Sequence, residues 1–170
     1  MKLRKLLPAD APLMLEWMHA PDVVGHLGTN FAEKTIEDCR KFIAYAQDST
    51  DDVHMAVATD EDEYMGTVSL KHIDRAAATA EFAITVRAAA MGKGYSQYGM
   101  REILRYGLSR LGLSAVYWCV SAENKRAVRF YDKCGYLRTT QVPEHILACY
   151  TQEQRANFLW YVVTDVAQCS

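Results

Sequence analysis

Two glycines flank a lysine where the sequence changes from a strand pattern to a helix pattern. Gly92, Lys93 and Gly94 follow the alternating run 79–86 and precede a helical repeat of apolar residues that begins at Tyr95. The first N–H groups of a helix lack intrahelical partners and carry partial positive charge, and glycines let an anion approach that backbone closely. The segment therefore predicts an anion-binding loop, although a lone pair of glycines is also compatible with a turn that binds nothing.

A second group of candidate residues lies about thirty residues downstream, in an amphipathic run that starts with an asparagine. The spacings of three and seven place Asn124, Ala127 and Tyr131 on one face of a helix, which Gly135 ends before Tyr136. A tyrosine near a leaving group can supply a proton as a general acid, and a small alanine leaves room for a ligand. Taken alone, Asn124 would be a helix N-cap and Tyr131 a core aromatic residue.

In this order, the two segments resemble the acetyl-CoA-binding core of the GNAT superfamily of N-acetyltransferases, in the branch that acts on ribosomal-protein N-termini and small amines. Residues 124–136 match the family pattern N-x-x-A-x-x-x-Y-x-x-x-G-[F/Y] in full. The loop departs from the usual [Q/R]-x-x-G-x-[G/A], because Ala89 stands at its first position. The resemblance is most specific between Glu81 and Tyr136, and it implies direct attack of an amine on acetyl-CoA in a ternary complex.

The resemblance also implies which residues hold acetyl-CoA. The backbone amides of 91–96 would cradle its pyrophosphate, Asn124 would bond to the pantetheine amides, and Tyr131 would protonate the departing thiolate. The implied cofactor-binding residues are Ile84, Val86, Arg87, Met91, Gly92, Lys93, Gly94, Tyr95, Ser96, Asn124, Arg126, Ala127 and Tyr131.

The acceptor side needs a base, because an alkylamine with a pKa of about 10.4 is only about one part in two thousand neutral at pH 7. Glu81 is the best candidate, since it interrupts an apolar strand on the face that carries the small residues Ala83 and Thr85. A solvent-facing glutamate on an edge strand is the alternative. In the family, a carboxylate near this place often serves as the base, and the stretch 19–31 usually lines the acceptor. The predicted acceptor-side residues are Asp22, His26, Asn30, Phe31 and His72.

A framework of alternating strands and helices must position these side chains. Strand patterns fall at 3–7, 53–58, 64–70, 79–86, 115–120, 136–142 and 158–163, and helix patterns follow Asp10, Thr35, Tyr95 and Asn124. Asp10 is the predicted N-cap of the first helix, and Thr35 with Asp38 resembles a capping box at the start of the second. This order matches the GNAT layout. We therefore expect an α/β (α+β) fold, a single domain over residues 1–170 whose mixed, mostly antiparallel sheet is flanked by helices on both faces.

Composition excludes several classes of function. The 170 residues carry a net charge of −2, so no global field recruits nucleic acid. No stretch approaches the ~20 apolar residues of a membrane span. Five cysteines at wide, irregular spacing argue against a disulfide framework and against a zinc site. With no export signal visible, we expect a cytoplasmic enzyme without a bound metal.

Several alternatives stay open. The acceptor is a protein N-terminus, a polyamine or other small amine, or an amino sugar, and a homodimer is compatible with the sequence. A catalytically inactive acyl-CoA-binding regulatory module is the second class of function. An unrelated nucleotide-binding protein is the third. A triphosphate-binding P-loop is disfavoured, because Arg87 occupies the first glycine position of GxxxxGK[ST] and Gly94 follows the lysine.

Overall fold

Strands and helices alternate along the chain in the computed structural model, which describes residues 1–25, 27 and 29–169. The strands are β1 (Lys2–Lys5), β2 (Val53–Ala58), β3 (Tyr64–Asp74), β4 (Thr79–Val86), β5 (Ala115–Ser121), β6 (Leu137–Thr139) and β7 (Phe158–Val163). The α-helices are α1 (Ala11–Met18), α2 (Pro21–Val24), α3 (Ile36–Asp48), α4 (Tyr95–Ser109), α5 (Lys125–Lys133), α6 (Glu144–Leu147) and α7 (Gln152–Asn157).

The seven strands form one sheet in the order β1-β2-β3-β4-β5-β7-β6. The pairs β1–β2, β5–β7 and β6–β7 are antiparallel, whereas β4 and β5 are parallel. The predicted mixed, mostly antiparallel sheet is therefore present. Contacts between residues divide the chain into two compact units. The first unit comprises residues 1–69 and 83–103, and the second comprises residues 70–82 and 104–170. The unit boundaries fall within β3, β4 and α4, so each of these elements contributes to both units. A single domain over 1–170 stays a prediction.

The first unit has a core between its N-terminal helices and β2. Met14, Trp17 and Met18 lie on the buried face of α1 and pack with Cys39 and Ile43 of α3. The α3 helix begins with the predicted capping box: the Thr35 side chain accepts a hydrogen bond from the Asp38 amide, and the Asp38 carboxylate accepts one from the Thr35 amide at 2.8 Å.

Gly99 lets α4 lie close to the sheet within the first unit. A Cβ at this position would come within 2.5 Å of Val57 Cγ2 and 3.0 Å of Val68 Cγ1. Real side chains do not tolerate such contacts, so the helix packs against β2 and β3 through bare backbone. This close contact anchors the helix whose first turn follows Gly92-Lys93-Gly94.

The second unit is centred on Trp118 of β5. Its ring contacts Phe82, Tyr131, Tyr136 and Tyr161, and the Tyr161 ring is stacked on it with centroids 5.6 Å apart. Aromatic pairs of this kind contribute about 0.5–1.5 kcal/mol each beyond their buried area. The cluster fixes the inner face of α5 against β5 and β7.

Several predicted strand bounds and one predicted cap differ from the structure. Strand β1 covers Lys2–Lys5 rather than 3–7. Strand β3 continues to Asp74, although polar side chains end its apolar run after Leu70. Strand β6 stops at Thr139, where the Thr139 hydroxyl accepts a hydrogen bond from the Gln141 amide and turns the chain. Asp10 was expected to cap α1, but its carboxylate instead accepts from the Leu7 amide and pairs with Arg4 at 2.8 Å.

Candidate active site

The predicted anion-binding loop has the backbone geometry that an anion site requires. Gly92 and Gly94 have φ of +75° and +85°, a conformation that favours glycine. An ideal Cβ on Gly92 would meet no described atom within 4 Å, so that backbone is open. The Tyr98 amide makes the first intrahelical bond, to the Gly94 carbonyl at 2.9 Å. The preceding amides of α4 have no intrahelical acceptor and carry the positive end of the helix dipole.

Arg87 does not point its charge into open solvent. Its side chain is buried and forms two 3.0 Å hydrogen bonds to the Glu16 carboxylate, with a third bond of 2.8 Å to Glu63. These two partners raise the pKa of the guanidinium, the Glu16 hydrogen bond most strongly. A phosphate would have to displace a carboxylate to reach Arg87, and this exchange would cost free energy. The role of Arg87 as a phosphate ligand therefore stays a prediction.

The other predicted cofactor residues of the first unit line the end of β4 and the loop. Lys93 is exposed, and its ammonium has no ion-pair partner among the described residues. The remaining members of the set, Ile84, Val86, Met91, Tyr95 and Ser96, are half-buried. Lys93 is therefore a better source of positive charge for an anion at this loop than Arg87.

Helix α5 places the second predicted group. Asn124 is its N-cap, and its side-chain oxygen accepts a hydrogen bond from the Ala127 amide at 3.2 Å. This bond uses one of the two lone pairs of the amide oxygen, so the NH₂ group of Asn124 stays available for pantetheine recognition. Ala127 is half-buried and Arg126 is exposed. The alternative interpretation of Asn124 as a helix cap is thus correct, and it is compatible with a cofactor contact.

Tyr131 is buried, and no hydrogen bond occupies its hydroxyl within the part of the chain that the structure describes. Its ring packs on Trp118 and Tyr161, at centroid distances of 5.6 and 5.1 Å. Burial raises the pKa of the Tyr131 phenol well above its ordinary value. The phenol consequently keeps its proton at neutral pH, as a proton donor must.

Glu81 is one of the most buried side chains of the second unit, with 2% of its surface exposed. The Tyr150 hydroxyl donates a hydrogen bond to Oε1, whereas Oε2 has no hydrogen bond among the described residues. His72 Nε2 lies 3.5 Å from that second oxygen. The alternative of a solvent-facing edge-strand glutamate is therefore wrong, because β4 is an internal strand and its neighbour β5 pairs with it at Glu81↔Tyr117.

Burial and nearby negative charge control the thiol beside this carboxylate. Desolvation, followed by the charge of Glu81, raises the pKa of Cys119 to about 12. Cys119 is thus a neutral thiol at physiological pH and a poor nucleophile. Burial also raises the pKa of Cys134. Neither of these thiols supplies the thiolate that an acetyl-cysteine intermediate would need.

The predicted acceptor residues belong to both units of the chain. His72 contacts Glu81 in the second unit. In the first unit, Asp22 is exposed on α2, the Asn30 side chain accepts from the Ala32 amide, and Phe31 packs edge-on against Trp17 at 5.2 Å. His26 lies outside the described residues. Of this set, His72 is therefore the residue with a demonstrated contact to the candidate base.

Tyr150 was not predicted from the sequence. It lies between α6 and α7, and its ring packs edge-on against Phe158 and Trp160 at 5.3 and 5.7 Å. Burial raises the pKa of its hydroxyl, so the group stays a hydrogen-bond donor to Glu81. The sequence signal for Tyr150 was an aromatic residue in a polar connection. Its hydrogen-bond partner, Glu81, is 69 positions away in the chain, so no local pattern links the two.

Comparisons with known proteins decide the family. A family model described as "Acetyltransferase (GNAT) domain" matches residues 1–137. The chain belongs to this family. Family membership confirms the recognition made from the two motifs, and the description of the family names an acetyltransferase.

Relatives of this GNAT chain include two spermidine N(1)-acetyltransferases. The protein from Vibrio cholerae is 31% identical over 80 residues, 47% of this chain and 46% of the relative. The protein from Escherichia coli is 32% identical over 74 residues, 44% of this chain and 40% of the relative. The matched segments span less than half of the length of these relatives.

Solved structures share the fold over nearly the whole chain. The spermidine N-acetyltransferase from Vibrio cholerae in complex with CoA and spermine superposes with a TM-score of 0.80 at 18% identity, over 99% of this chain and 98% of that one. A dodecameric structure of the enzyme from the same organism has a TM-score of 0.71 at 20% identity, over 96% and 92%. The predicted fold class is confirmed.

Two further findings concern the described part of the chain. None of its helices has the length and apolar character needed to cross a bilayer. Within residues 1–25, 27 and 29–169, no group of three or more His, Cys, Asp or Glu side chains is arranged to hold a metal ion.

Proposed function

We propose that this protein transfers the acetyl group of acetyl-CoA to a primary amine of a polyamine such as spermidine. The observation that carries the proposal is the Glu81 carboxylate, buried to 2% exposure with one oxygen held by Tyr150 and the other without a hydrogen bond among the described residues. A buried carboxylate with an unused oxygen is suited to bind an ammonium group and to accept its proton.

A polyamine suits the surroundings of Glu81 and the names of the relatives. Both matched relatives are spermidine N(1)-acetyltransferases. In this chain, the rings of Tyr150, Phe158 and Trp160 pack together next to the carboxylate. Aromatic faces attract organic cations, at about 0.5–2 kcal/mol per contact. A chain of methylenes and ammonium groups satisfies both kinds of surface better than the hydroxyl-bearing ring of an amino sugar does.

Acetyl-CoA supplies an acetyl thioester that an amine can attack directly. The open backbone at Gly92, the first-turn amides of α4 and the exposed Lys93 fit its pyrophosphate. The NH₂ group of Asn124 and the small side chain of Ala127 fit its pantetheine arm. These residues bind and orient, and they hold no proton that the reaction needs.

Two protons must move during the transfer. Glu81 Oε2 accepts the proton that the amine loses as its nitrogen bonds to the thioester carbon, when that N–H becomes acidic. Tyr131 Oη holds a proton for the departing sulfur, because burial keeps the phenol neutral. The apolar surroundings that raise the pKa of Tyr131 also raise that of a thiol, so the proton transfer is not strongly uphill.

The experiment is an amine panel with acetyl-CoA and detection of the free thiol. We expect spermidine and spermine to turn over faster than an N-terminal peptide or an amino sugar, with N-acetylpolyamine identified by mass spectrometry. Preference for the peptide or the sugar would refute the polyamine assignment. Tight CoA binding with no turnover of any amine would refute catalysis and favour the acyl-CoA-binding regulatory module.

A further inference from the structure

Two side chains from separate segments contact Glu81. Tyr150, from the connection between α6 and α7, donates to Oε1. His72, near the end of β3, places Nε2 at 3.5 Å from Oε2. His72 Nδ1 lies 3.7 Å from Cys149 Sγ, and the Cys149 thiol in turn donates to the His145 carbonyl at 3.4 Å. The buried carboxylate is thereby connected to an exposed part of the molecule.

We infer that His72 carries the acceptor proton from Glu81 to solvent, and that Tyr150 is the positioning residue that presents Glu81 Oε2 to His72. This inference rests on the proposed amine acetylation and assigns to its base a route by which it is regenerated. Glu81 is only 2% exposed, and an amine bound at Oε2 covers what exposure remains, so a proton that the carboxylate accepts needs a carrier. The His72 side chain is 37% exposed and is therefore in contact with both carboxylate and water.

The proton balance of the route is simple. The amine N–H bond breaks and an O–H bond forms at Glu81 Oε2. That O–H then breaks as Nε2 of the neutral ring takes the proton, and the imidazolium releases its Nδ1 proton to water. The starting ring must carry its hydrogen on Nδ1, and the Cys149 sulfur beside Nδ1 can accept a weak hydrogen bond from that tautomer. Glu81 is then ionised and the neutral ring carries its hydrogen on Nε2, so exchange of the ring protons with water must restore the Nδ1–H tautomer before the next turnover.

The backbone at His72 is held in an uncommon conformation, with φ of +52°. Non-glycine residues adopt this region at a cost, and such positions occur where the surrounding structure fixes them. Titratable groups near the carboxylate also include the neutral thiol of Cys119, the Tyr150 phenol and Tyr117, the partner of Glu81 across the strands. Neither raised-pKa group loses its proton near neutral pH, whereas the neutral imidazole of His72 offers a basic nitrogen 3.5 Å from Oε2.

Buffer rescue of His72→Ala tests the relay. We expect kcat with spermidine to fall at least tenfold in dilute buffer, while CoA affinity is unchanged. Added imidazoles should restore the rate at constant pH, in order of their basicity rather than of their size. The matched control is His145→Gln, in a second histidine of the same unit, which should keep the wild-type rate and show no rescue. A His72→Ala rate equal to wild type, or rescue that follows size alone, would overturn the inference.

A measurement without turnover separates this inference from the proposed function. We expect the ¹⁵N signals of the His72 ring, recorded at a single pH, to differ between wild type and Glu81→Gln, because Nε2 lies 3.5 Å from the carboxylate oxygen that the substitution alters. Tyr150→Phe should lower kcat with little change in the KM for amine. If wild type acetylates no amine, the proposed function fails. If wild type is active but the His72 signals ignore Glu81→Gln, the relay alone fails.

Discussion

Replacing Glu81 by glutamine separates the chemistry of the carboxylate from its packing. The amide has nearly the same shape, and its oxygen can still accept the Tyr150 hydrogen bond. Removing a charge that is buried to 2% exposure also removes a desolvation cost, so the variant should stay folded. Loss of a positioned general base typically costs about 10²–10⁴ in rate. We therefore expect kcat/KM for spermidine to fall by that factor at pH 7.

The pH dependence then identifies the lost function. Without a base, Glu81→Gln depends on neutral amine from solution, whose fraction rises about tenfold per pH unit below a pKa of about 10.4. Between pH 7 and 9, kcat/KM of the variant should rise about 100-fold, whereas that of wild type should change little. The assay is initial-rate thiol release at low spermidine and saturating acetyl-CoA. Parallel profiles with a constant ratio of the two rates would refute Glu81 as the base.

Three further predictions concern the proton donor, the loop and alkaline stability. Tyr131→Phe should lower kcat by about 10²–10⁴ with little change in CoA affinity, and a wild-type kcat where chemistry limits the rate would contradict the role. Gly92→Ala and its control Gly112→Ala both place a side chain at positive φ in open space, so each variant should lose about 1 kcal/mol of stability. Calorimetry should show weaker CoA binding in Gly92→Ala and unchanged binding in Gly112→Ala. Burial raises the pKa of Cys119 to about 12, so the folded state keeps a proton that the unfolded state releases above about pH 9. The contribution of the Cys119 thiol to the free energy of unfolding is therefore fully present below pH 9 and declines towards pH 12. Urea unfolding at pH 8, 9.5 and 10.5 should show this decline, with a shallower slope in Cys119→Ala.

Local signals in the sequence predicted much of the framework. The Thr35 capping box, the alternation along β4 and the glycines before α4 each depend on residues within a few positions of one another. The α5 helix could be predicted for the same reason. Its helical spacing brings Asn124, Ala127 and Tyr131 to one face.

The contacts of the candidate site depend instead on residues far apart in the chain. Arg87 was expected to face a phosphate, but Glu16 lies 71 positions before it and is its partner. Glu81 is buried because β5 and β3 flank its strand, an order that no local pattern specifies. Tyr150 was missed because its hydrogen bond to Glu81 crosses 69 positions. Tertiary pairing, not propensity, determined these three outcomes.

Thiol release by wild-type protein with acetyl-CoA and spermidine tests the central claim most directly. The proposed function predicts one free thiol per N-acetylspermidine formed, together with loss of most of that rate in Glu81→Gln at pH 7 and its partial recovery at pH 9. Acetyl-CoA that binds but yields no thiol above the uncatalysed rate, with spermidine or any other amine in the panel, would contradict it.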